Sequence, residues 1–191
     1  LGPHFAARYR LGGALGQGAL GEVWLAHPAD GGPPLALKVV RTVALGDQRA
    51  RFEREFAAMR QLAHPHVVAV MERGEHDGCA WIAMEYVAGG TLAEAIARDA
   101  PFGAERAARL AADLLEGLAV CHALSILHRD LKPANVLLTV AGRAKLADLG
   151  LARDEKRVTR ITMTGALLGT PLYMPPEVLL DGEPWTVAAD L

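Results

Sequence analysis

Residues 128 to 135 read His128-Arg129-Asp130-Leu131-Lys132-Pro133-Ala134-Asn135. This stretch places a carboxylate, a cation and an amide close together, on Asp130, Lys132 and Asn135. Phosphoryl transfer needs this combination, because a carboxylate orients the attacking hydroxyl, a cation meets charge on the transferring group and an amide oxygen helps to hold a metal ion. Pro133 fixes φ, and the apolar run beyond it predicts a tight loop leading into a strand. A polar loop without chemistry is the alternative.

Composition limits the other classes of protein. The 191 residues are 51% hydrophobic and 22% charged, which is typical of a globular chain with one sizeable core. The net charge of -2 gives no sign of nucleic-acid binding. The two cysteines, Cys79 and Cys121, have no metal-like spacing and are expected to be reduced thiols in a cytoplasmic domain. We find no apolar run of about 18 residues that could span a membrane.

The octapeptide fits the pattern H-R-D-L-x-x-x-N at every fixed position and resembles the catalytic loop of protein kinases. The resemblance implies that Asp130 orients the acceptor hydroxyl, that Lys132 stabilises the transferring phosphoryl, and that Asn135 binds a metal ion. It further implies ATP and Mg²⁺, or Mn²⁺, as cofactors.

A glycine-rich segment near the start has the spacing G-x-G-x-x-G at Gly16, Gly18 and Gly21. Glycine lets a backbone approach phosphate oxygens closely. A Rossmann turn shares the spacing but requires a helix next, whereas residues 22 to 26 alternate like a strand, so we predict a hairpin. By resemblance the ATP site comprises Leu15, Gly16, Gln17, Gly18, Ala19, Leu20, Gly21, Glu22, Val23, Ala36, Lys38, Met84, Glu85, Val87 and Leu137.

Lys38 lies inside the apolar strand of residues 35 to 40, where a lysine is costly unless it meets an anion. The run resembles the V-A-I-K strand of kinases, whose lysine contacts the α- and β-phosphates. In the helix predicted after Asp47, Glu55 falls within the apolar arc and Glu53 points elsewhere. Glu55 is therefore the expected partner of Lys38, the alternative being a glutamate that reaches solvent.

Two further strands are predicted at residues 67 to 70 and 81 to 84, around a polar turn at residues 75 to 78. His64 and His66 have no further ligands at useful spacing, so a metal site there is rejected. Glu85 to Gly90 resembles the hinge between kinase lobes, with main-chain groups near Glu85 and Val87 facing adenine.

The second half predicts helices and a second acidic site. Thr91 and Glu94 have capping-box spacing, and residues 104 to 124 are helical, with Leu110, Leu114 and Leu118 on one stripe. Asp148-Leu149-Gly150 resembles the kinase D-F-G, with Asp148 as a metal ligand and Leu149 in place of phenylalanine. Residues 173 to 177 resemble A-P-E, with Pro175 in place of alanine.

By resemblance, Arg129 beside Asp130 marks regulation through an activation segment, because a phosphothreonine can neutralise that arginine. Thr162 and Thr164 are the predicted phosphorylation sites, with scattered surface threonines as the alternative. Thr170 is counted with the catalytic residues. Together with Lys132, it favours serine and threonine over tyrosine as substrates.

The predicted fold is α+β and bilobal, with a β-rich lobe at residues 9 to 86, a helical lobe from residue 87 to 191, and a linker at residues 1 to 8. The motifs resemble bacterial serine/threonine protein kinases, which act on proteins, and a homodimer that phosphorylates itself is compatible with them. A kinase domain is longer, so the sequence is expected to be an inactive piece of a longer protein, which a membrane helix outside it could anchor. A scaffolding pseudokinase and a small-molecule phosphotransferase are the alternatives.

Overall fold

The computed structural model describes residues 4–5, 8–18, 21–41, 56–149, 171–180 and 184–191. They fall into two units, one formed by Leu1–Ala63 with Val68–Tyr86 and the other by His64–Val67 with Val87–Leu191. Among these residues the first unit is mainly sheet and the second mainly helix, so the predicted α+β class is confirmed.

The first unit contains an antiparallel sheet, with six strands among the described residues. Their order across the sheet is β1-β2-β3-β4-β6-β5. The strands are β1 (His4–Phe5), β2 (Tyr9–Gly18), β3 (Gly21–Pro28), β4 (Leu35–Arg41), β5 (Val70–His76) and β6 (Cys79–Glu85). Residues 56 to 59 are helical.

One face of this sheet carries an apolar core. Side chains alternate along a strand, so Leu35, Leu37 and Val39 of β4 point to this face and the residues between them point to the other. Trp81 lies at the centre of the core, with the rings of Phe5 and Tyr9 edge-on to it at centroid distances of 6.4 and 5.5 Å. Such edge-to-face pairs stabilise a cluster beyond the area they bury.

Two segments differ from the sequence-based expectation. His4–Phe5 forms a strand rather than linker, because Phe5, at 2% exposure, is buried in the aromatic core. The strand expected at residues 67 to 70 lies instead at Val70–His76, where exposed and half-buried positions alternate. An alternating strand with charged residues has a weaker apolar signal than the valines before it, and Val67 makes only an isolated bridge, to Leu146.

The second unit contains helices that pack on a small β-hairpin. They are α1 (Leu92–Asp99) and α2 (Ala104–Ala123), and the hairpin strands are β7 (Val136–Leu138) and β8 (Ala144–Leu146). A 3₁₀ turn at Pro133–Asn135 leads into β7, and α3 (Pro176–Leu180) lies between 3₁₀ turns at Pro171–Tyr173 and Val187–Asp190.

The two predicted helices of the second unit are confirmed. The side chain of Thr91 accepts a hydrogen bond from the Glu94 N–H, and Glu94 accepts one from the Thr91 N–H, at 3.1 and 2.7 Å. Leu110 and Leu118 of α2 are buried, and Leu114 packs beside the hairpin. No helix in the described part of the chain is long and apolar enough to cross a membrane.

Candidate active site

Four predicted nucleotide-binding residues share one face of the sheet. Val23 pairs with Lys38 across β3 and β4, and Ala36 pairs with Met84 across β4 and β6. Directly paired residues of antiparallel strands point to the same side, as do residues two apart along a strand. The face that carries these four side chains is opposite to the aromatic core, and it presents one lysine in an apolar setting.

The glycine-rich segment is a hairpin, as predicted, because its two arms pair antiparallel from Gly16↔Val23 to Gly18↔Gly21. This excludes the Rossmann alternative. A Cβ on Gly21 would collide with the Val39 carbonyl, so only glycine fits there. Leu15, Gly16 and Gln17 are exposed. Glu22 lies on the other face, where its carboxylate accepts a hydrogen bond from Trp24 Nε1 at 3.1 Å.

Glu85 is the last residue of β6, and it forms two hydrogen bonds with the backbone of Ala69. Its N–H donates to the Ala69 carbonyl at 2.9 Å, and its carboxylate accepts from the Ala69 N–H at 3.3 Å. Met84 and Glu85 belong to the first unit, whereas Val87 and Leu137, also predicted to face ATP, belong to the second.

The catalytic-loop side chains meet at Asp130. Lys132 Nζ lies 3.0 Å from Asp130 Oδ2, and the two side chains are 20% and 21% exposed. Asn135 Nδ2 donates to Asp130 Oδ2 at 2.9 Å and to the Asp130 carbonyl at 2.8 Å. The carboxylate is therefore held from two sides while it stays accessible, and the structure brings three predicted residues together.

A carboxylate far along the sequence fixes the backbone of this loop. Asp190 is buried, and it accepts hydrogen bonds from the N–H groups of His128 and Arg129 at 2.7 and 2.8 Å. The ring of His122 lies 3.0 Å from the same carboxylate. Arg129 has φ 62°, a strained backbone for a non-glycine residue, and these bonds hold it there.

His128 is a neutral packing residue beneath the loop. Its Nδ1 accepts from the Asp130 N–H at 3.3 Å. Burial lowers the pKa of His128 below its ordinary value, against the opposing effect of the carboxylates of Asp190, Asp130 and Asp148. Charge on this ring is disfavoured, so His128 is not a candidate acid or base.

Asp148 lies two residues after the end of β8. The N–H of Ala147 donates to the Asn135 carbonyl at 2.9 Å, so the backbones that carry Asn135 and Asp148 are in contact. Asp148 itself is exposed and has φ 57°. Leu149 is buried, which agrees with an apolar packing role for the residue that replaces phenylalanine.

Several predicted residues lie outside the described part of the chain. They are Ala19, Leu20, Glu55, Thr162, Thr164 and Thr170.

The sequence profile described as "Protein kinase domain" matches residues 9–191. The chain belongs to the protein kinase family. Its relatives include serine/threonine-protein kinase PknB of Mycobacterium leprae, 38% identical over 92% of this chain and 29% of that protein. A probable serine/threonine-protein kinase PknB of Lactococcus lactis is 35% identical over 100% of this chain and 31% of that protein. Serine/threonine-protein kinase PknJ of Mycobacterium tuberculosis is 40% identical over 97% of this chain and 32% of that protein.

The chain thus spans about a third of the length of the curated relatives that it matches. The match confirms the predicted family, the kinase-like α+β fold and the likeness to bacterial serine/threonine kinases. Protein kinases in general use ATP and a divalent metal ion.

The residues at the predicted metal site fit a divalent cation of the magnesium type. With Nδ2 of Asn135 committed to Asp130, the remaining polar atom of the amide is its oxygen. Asp148 supplies an exposed carboxylate, and Mg²⁺ prefers one or two carboxylates completed by substrate phosphates. No group of three or more His, Cys, Asp or Glu that could hold a metal occurs among the described residues. The donor set matches a metal shared with a nucleotide rather than a cage made by the protein.

Sequence reasoning assigned no role to the side chain of Asp190, which holds the loop. Asp190 and Arg129 are 61 positions apart, and no periodicity relates them. The available signal was an aspartate at the end of an otherwise apolar segment, since such a carboxylate needs hydrogen-bond donors when it is buried.

Proposed function

We propose that this chain is the catalytic part of a serine/threonine protein kinase, which transfers the γ-phosphoryl group of ATP to a protein hydroxyl. The observation that carries the proposal is the Asp130 carboxylate, accessible and held by Lys132 and Asn135. In this arrangement Asp130 orients an acceptor hydroxyl and takes its proton, while Lys132 stabilises negative charge on the transferring group.

Lys38 supplies the cation for the α- and β-phosphates, with Glu55 as its proposed partner. The shared face of Val23, Ala36 and Met84 supplies an apolar setting for a base. Asn135 and Asp148 would hold Mg²⁺ or Mn²⁺, and a bound ion neutralises phosphate charge. Thr170, with Lys132, directs the site toward serine and threonine hydroxyls.

Autophosphorylation on Thr162 and Thr164 is part of the proposal. Each phosphate would add about -1.5 to -2 charge and could pair with Arg129. A homodimer would allow one copy to modify another. The proposed domain covers residues 9 to 191, with the two lobes dividing near residue 86.

The test is phosphoryl transfer by the intact protein from radiolabelled ATP to a generic basic protein. Asp130→Asn should lower the rate by a factor of about 10² to 10⁴, because it removes a general base, with little change in ATP binding. Asp77→Asn is the matched control, since Asp77 lies in an exposed turn at φ 47°, where asparagine is equally tolerated.

Phosphopeptide mapping of the same wild-type reaction reports whether Thr162 and Thr164 are modified. Equal rates for Asp130→Asn and wild type would remove Asp130 from its proposed role. A wild-type protein that binds ATP without transferring phosphate would favour the pseudokinase alternative, although Lys38, Asp130, Asn135 and Asp148 are all present.

A further inference from the structure

A second polar network, built around a buried carboxylate, lies in the same unit. Its centre is Asp113 of α2, whose side chain is 2% exposed. Arg143 donates to Asp113 from Nη2 at 2.6 Å and from Nε at 2.9 and 3.1 Å. The N–H of Ala144 donates to the same carboxylate at 2.9 Å. A buried charge is thus matched by a fork of arginine donors and a backbone amide.

His66 forms a hydrogen bond with the backbone carbonyl of Ala144. Its Nδ1 lies 2.8 Å from the Ala144 carbonyl, and a carbonyl only accepts, so Nδ1 carries the hydrogen. Nε2 is then an acceptor, and Arg143 Nη2 lies 3.2 Å from it. Asp113 Oδ1 and Glu116 Oε2 each lie 3.6 Å from His66 Nε2, which is too far for a hydrogen bond. The ring of His66 is therefore held between the Ala144 carbonyl on one side and Arg143 on the other.

Ala144 is the first residue of β8, so side chains from two distant segments fix both of its backbone groups. Further along the strand, the N–H of Leu146 donates to the His66 carbonyl at 2.9 Å. The N–H of Ala147 then donates to the Asn135 carbonyl, and Asp148 follows. The network therefore holds the start of a strand that leads, through Ala147, to one proposed metal ligand, and the backbone of Ala147 contacts the other.

Gly117 of α2 is part of the same arrangement. A Cβ at this position would lie 2.7 Å from the His66 carbonyl oxygen and 3.0 Å from Leu146 Cδ1. Glycine thus lets the segment with His66 approach the helix closely enough to bond to β8. Alanine would move that segment without removing a polar group.

We propose that Asp113, Arg143 and His66 are positioning residues that fix the register of β8 and thereby place Asp148 beside Asn135 for metal binding. This proposal rests on the proposed kinase function for its metal readout, but its primary test does not. None of the three residues touches the reacting groups. Their effect passes through the backbone of residues 144 to 147.

The primary test is amide hydrogen exchange of the intact protein, followed by mass spectrometry of peptides that cover residues 144 to 149. Asp113→Asn places an amide nitrogen against the donors of Arg143 or Ala144, so exchange in these peptides should speed up about tenfold or more. Gly117→Ala should do the same by displacement. Peptides from α1 should change little in both variants.

Asp99→Asn is the matched control. Asp99 also accepts hydrogen bonds from two arginines, Arg98 and Arg106, but it lies at the end of α1 and its arginine partners belong to α1 and α2 rather than to the β7–β8 turn. Arg143→Lys is the milder variant, which keeps the charge but cannot serve Asp113 and His66 together. If Asp113→Asn fails to fold, Arg143→Lys still tests the proposal.

The second readout is the Mg²⁺ concentration that gives half-maximal phosphoryl transfer. Loss of groups that orient metal ligands typically weakens metal binding by about 10- to 100-fold, and we expect the lower end for Asp113→Asn and Arg143→Lys. A purely structural role would reduce the active fraction and leave this concentration unchanged.

Unchanged exchange of residues 144 to 149 in Gly117→Ala and Arg143→Lys would overturn the proposal, whether or not the protein is a kinase. Faster exchange with an unchanged Mg²⁺ requirement in an active enzyme would also overturn it, because positioning of the metal ligands would then be wrong. A wild-type protein without transfer would contradict the proposed function alone, and the exchange result would still decide whether the network fixes β8.

Discussion

At the residue scale, burial separates the two thiols. Burial raises the pKa of Cys121 to about 11, and the nearby charge of Asp190 acts in the same direction. Cys121 lies on α2 with no exposed surface, whereas Cys79 is half-buried at the start of β6. Because the thiolate is the reactive form, the two cysteines should differ in chemistry although both are free.

We expect iodoacetamide at about pH 8 to modify Cys79 well before Cys121. A thiol with a pKa near 11 is about 0.1% thiolate at that pH, and burial blocks access as well. Peptide mass spectrometry of the native protein over time measures both sites. In urea the two should react alike, which is the control. Equal rates in the native protein would contradict the packing of Cys121 seen here.

At the element scale, α1 depends on its first turn. The reciprocal bonds of Thr91 and Glu94 satisfy two N–H groups that the helix itself leaves without partners. The bond from the Thr91 backbone also lowers the pKa of Glu94, so the carboxylate form is the one that caps.

Thr91→Ala should therefore loosen α1 by about 1 kcal/mol, a typical capping contribution. This corresponds to exchange of the amides of Leu92–Asp99 that is about fivefold faster, measured by hydrogen exchange in the intact protein. Thr186→Ala is the control, because Thr186 precedes a 3₁₀ turn without a side-chain capping bond. A Thr91→Ala protein with unaltered exchange in α1 would show that tertiary packing alone holds the helix.

At the scale of the whole molecule, Asp113 links stability to pH. The hydrogen bonds from Arg143 lower the pKa of this carboxyl below its ordinary value, outweighing the effect of burial. A group whose pKa is lowered by folding stabilises the protein above its unfolded pKa of 3.8, and this contribution is lost as the pH falls through the folded pKa.

Asp113→Asn should accordingly cost stability near neutral pH, by about 1.5 to 3 kcal/mol, because a buried carboxylate loses hydrogen bonds from the half-exposed guanidinium of Arg143. The difference from wild type should shrink as the pH is lowered below about 5, because the unfolded wild-type chain then binds a proton at Asp113 that the folded protein does not bind until the pH reaches its lower folded pKa. Urea unfolding followed by tryptophan fluorescence at each pH measures this. A difference that stays constant with pH would mean that the Asp113 charge does not contribute.

Local chemistry made the hairpin, α1, α2 and the catalytic loop predictable. Each is specified by residues within a few positions: glycines at a fixed spacing, a threonine and glutamate three apart, leucines every four, and Asp130 with Lys132 and Asn135. The apolar residues on both sides of Lys38 also made its strand predictable without any long-range information.

Contacts between distant segments were not predictable from one sequence. His66 looked like part of an ordinary turn, Asp113 like one acid among several on α2, and Arg143 like a residue of a polar turn. Only the fold brings them together, and a single sequence contains no periodicity that spans 30 or 77 positions. The short strand at Phe5 pairs with the nearby Tyr9, but two residues are too few to show a period, and the burial of Phe5 depends on the distant Trp81.

The tetrapeptide His64–Val67 has a consequence for dissecting the molecule. It belongs to the second unit, although residues of the first unit precede and follow it. The polypeptide therefore passes from one unit to the other after Ala63, after Val67 and again after Tyr86. A protease or a gene split acting at Tyr86 leaves His66 and Val67, both buried, on the wrong fragment. The C-terminal fragment then lacks part of its own unit, and residues 64 to 67 must be supplied by the other fragment to complete its interior.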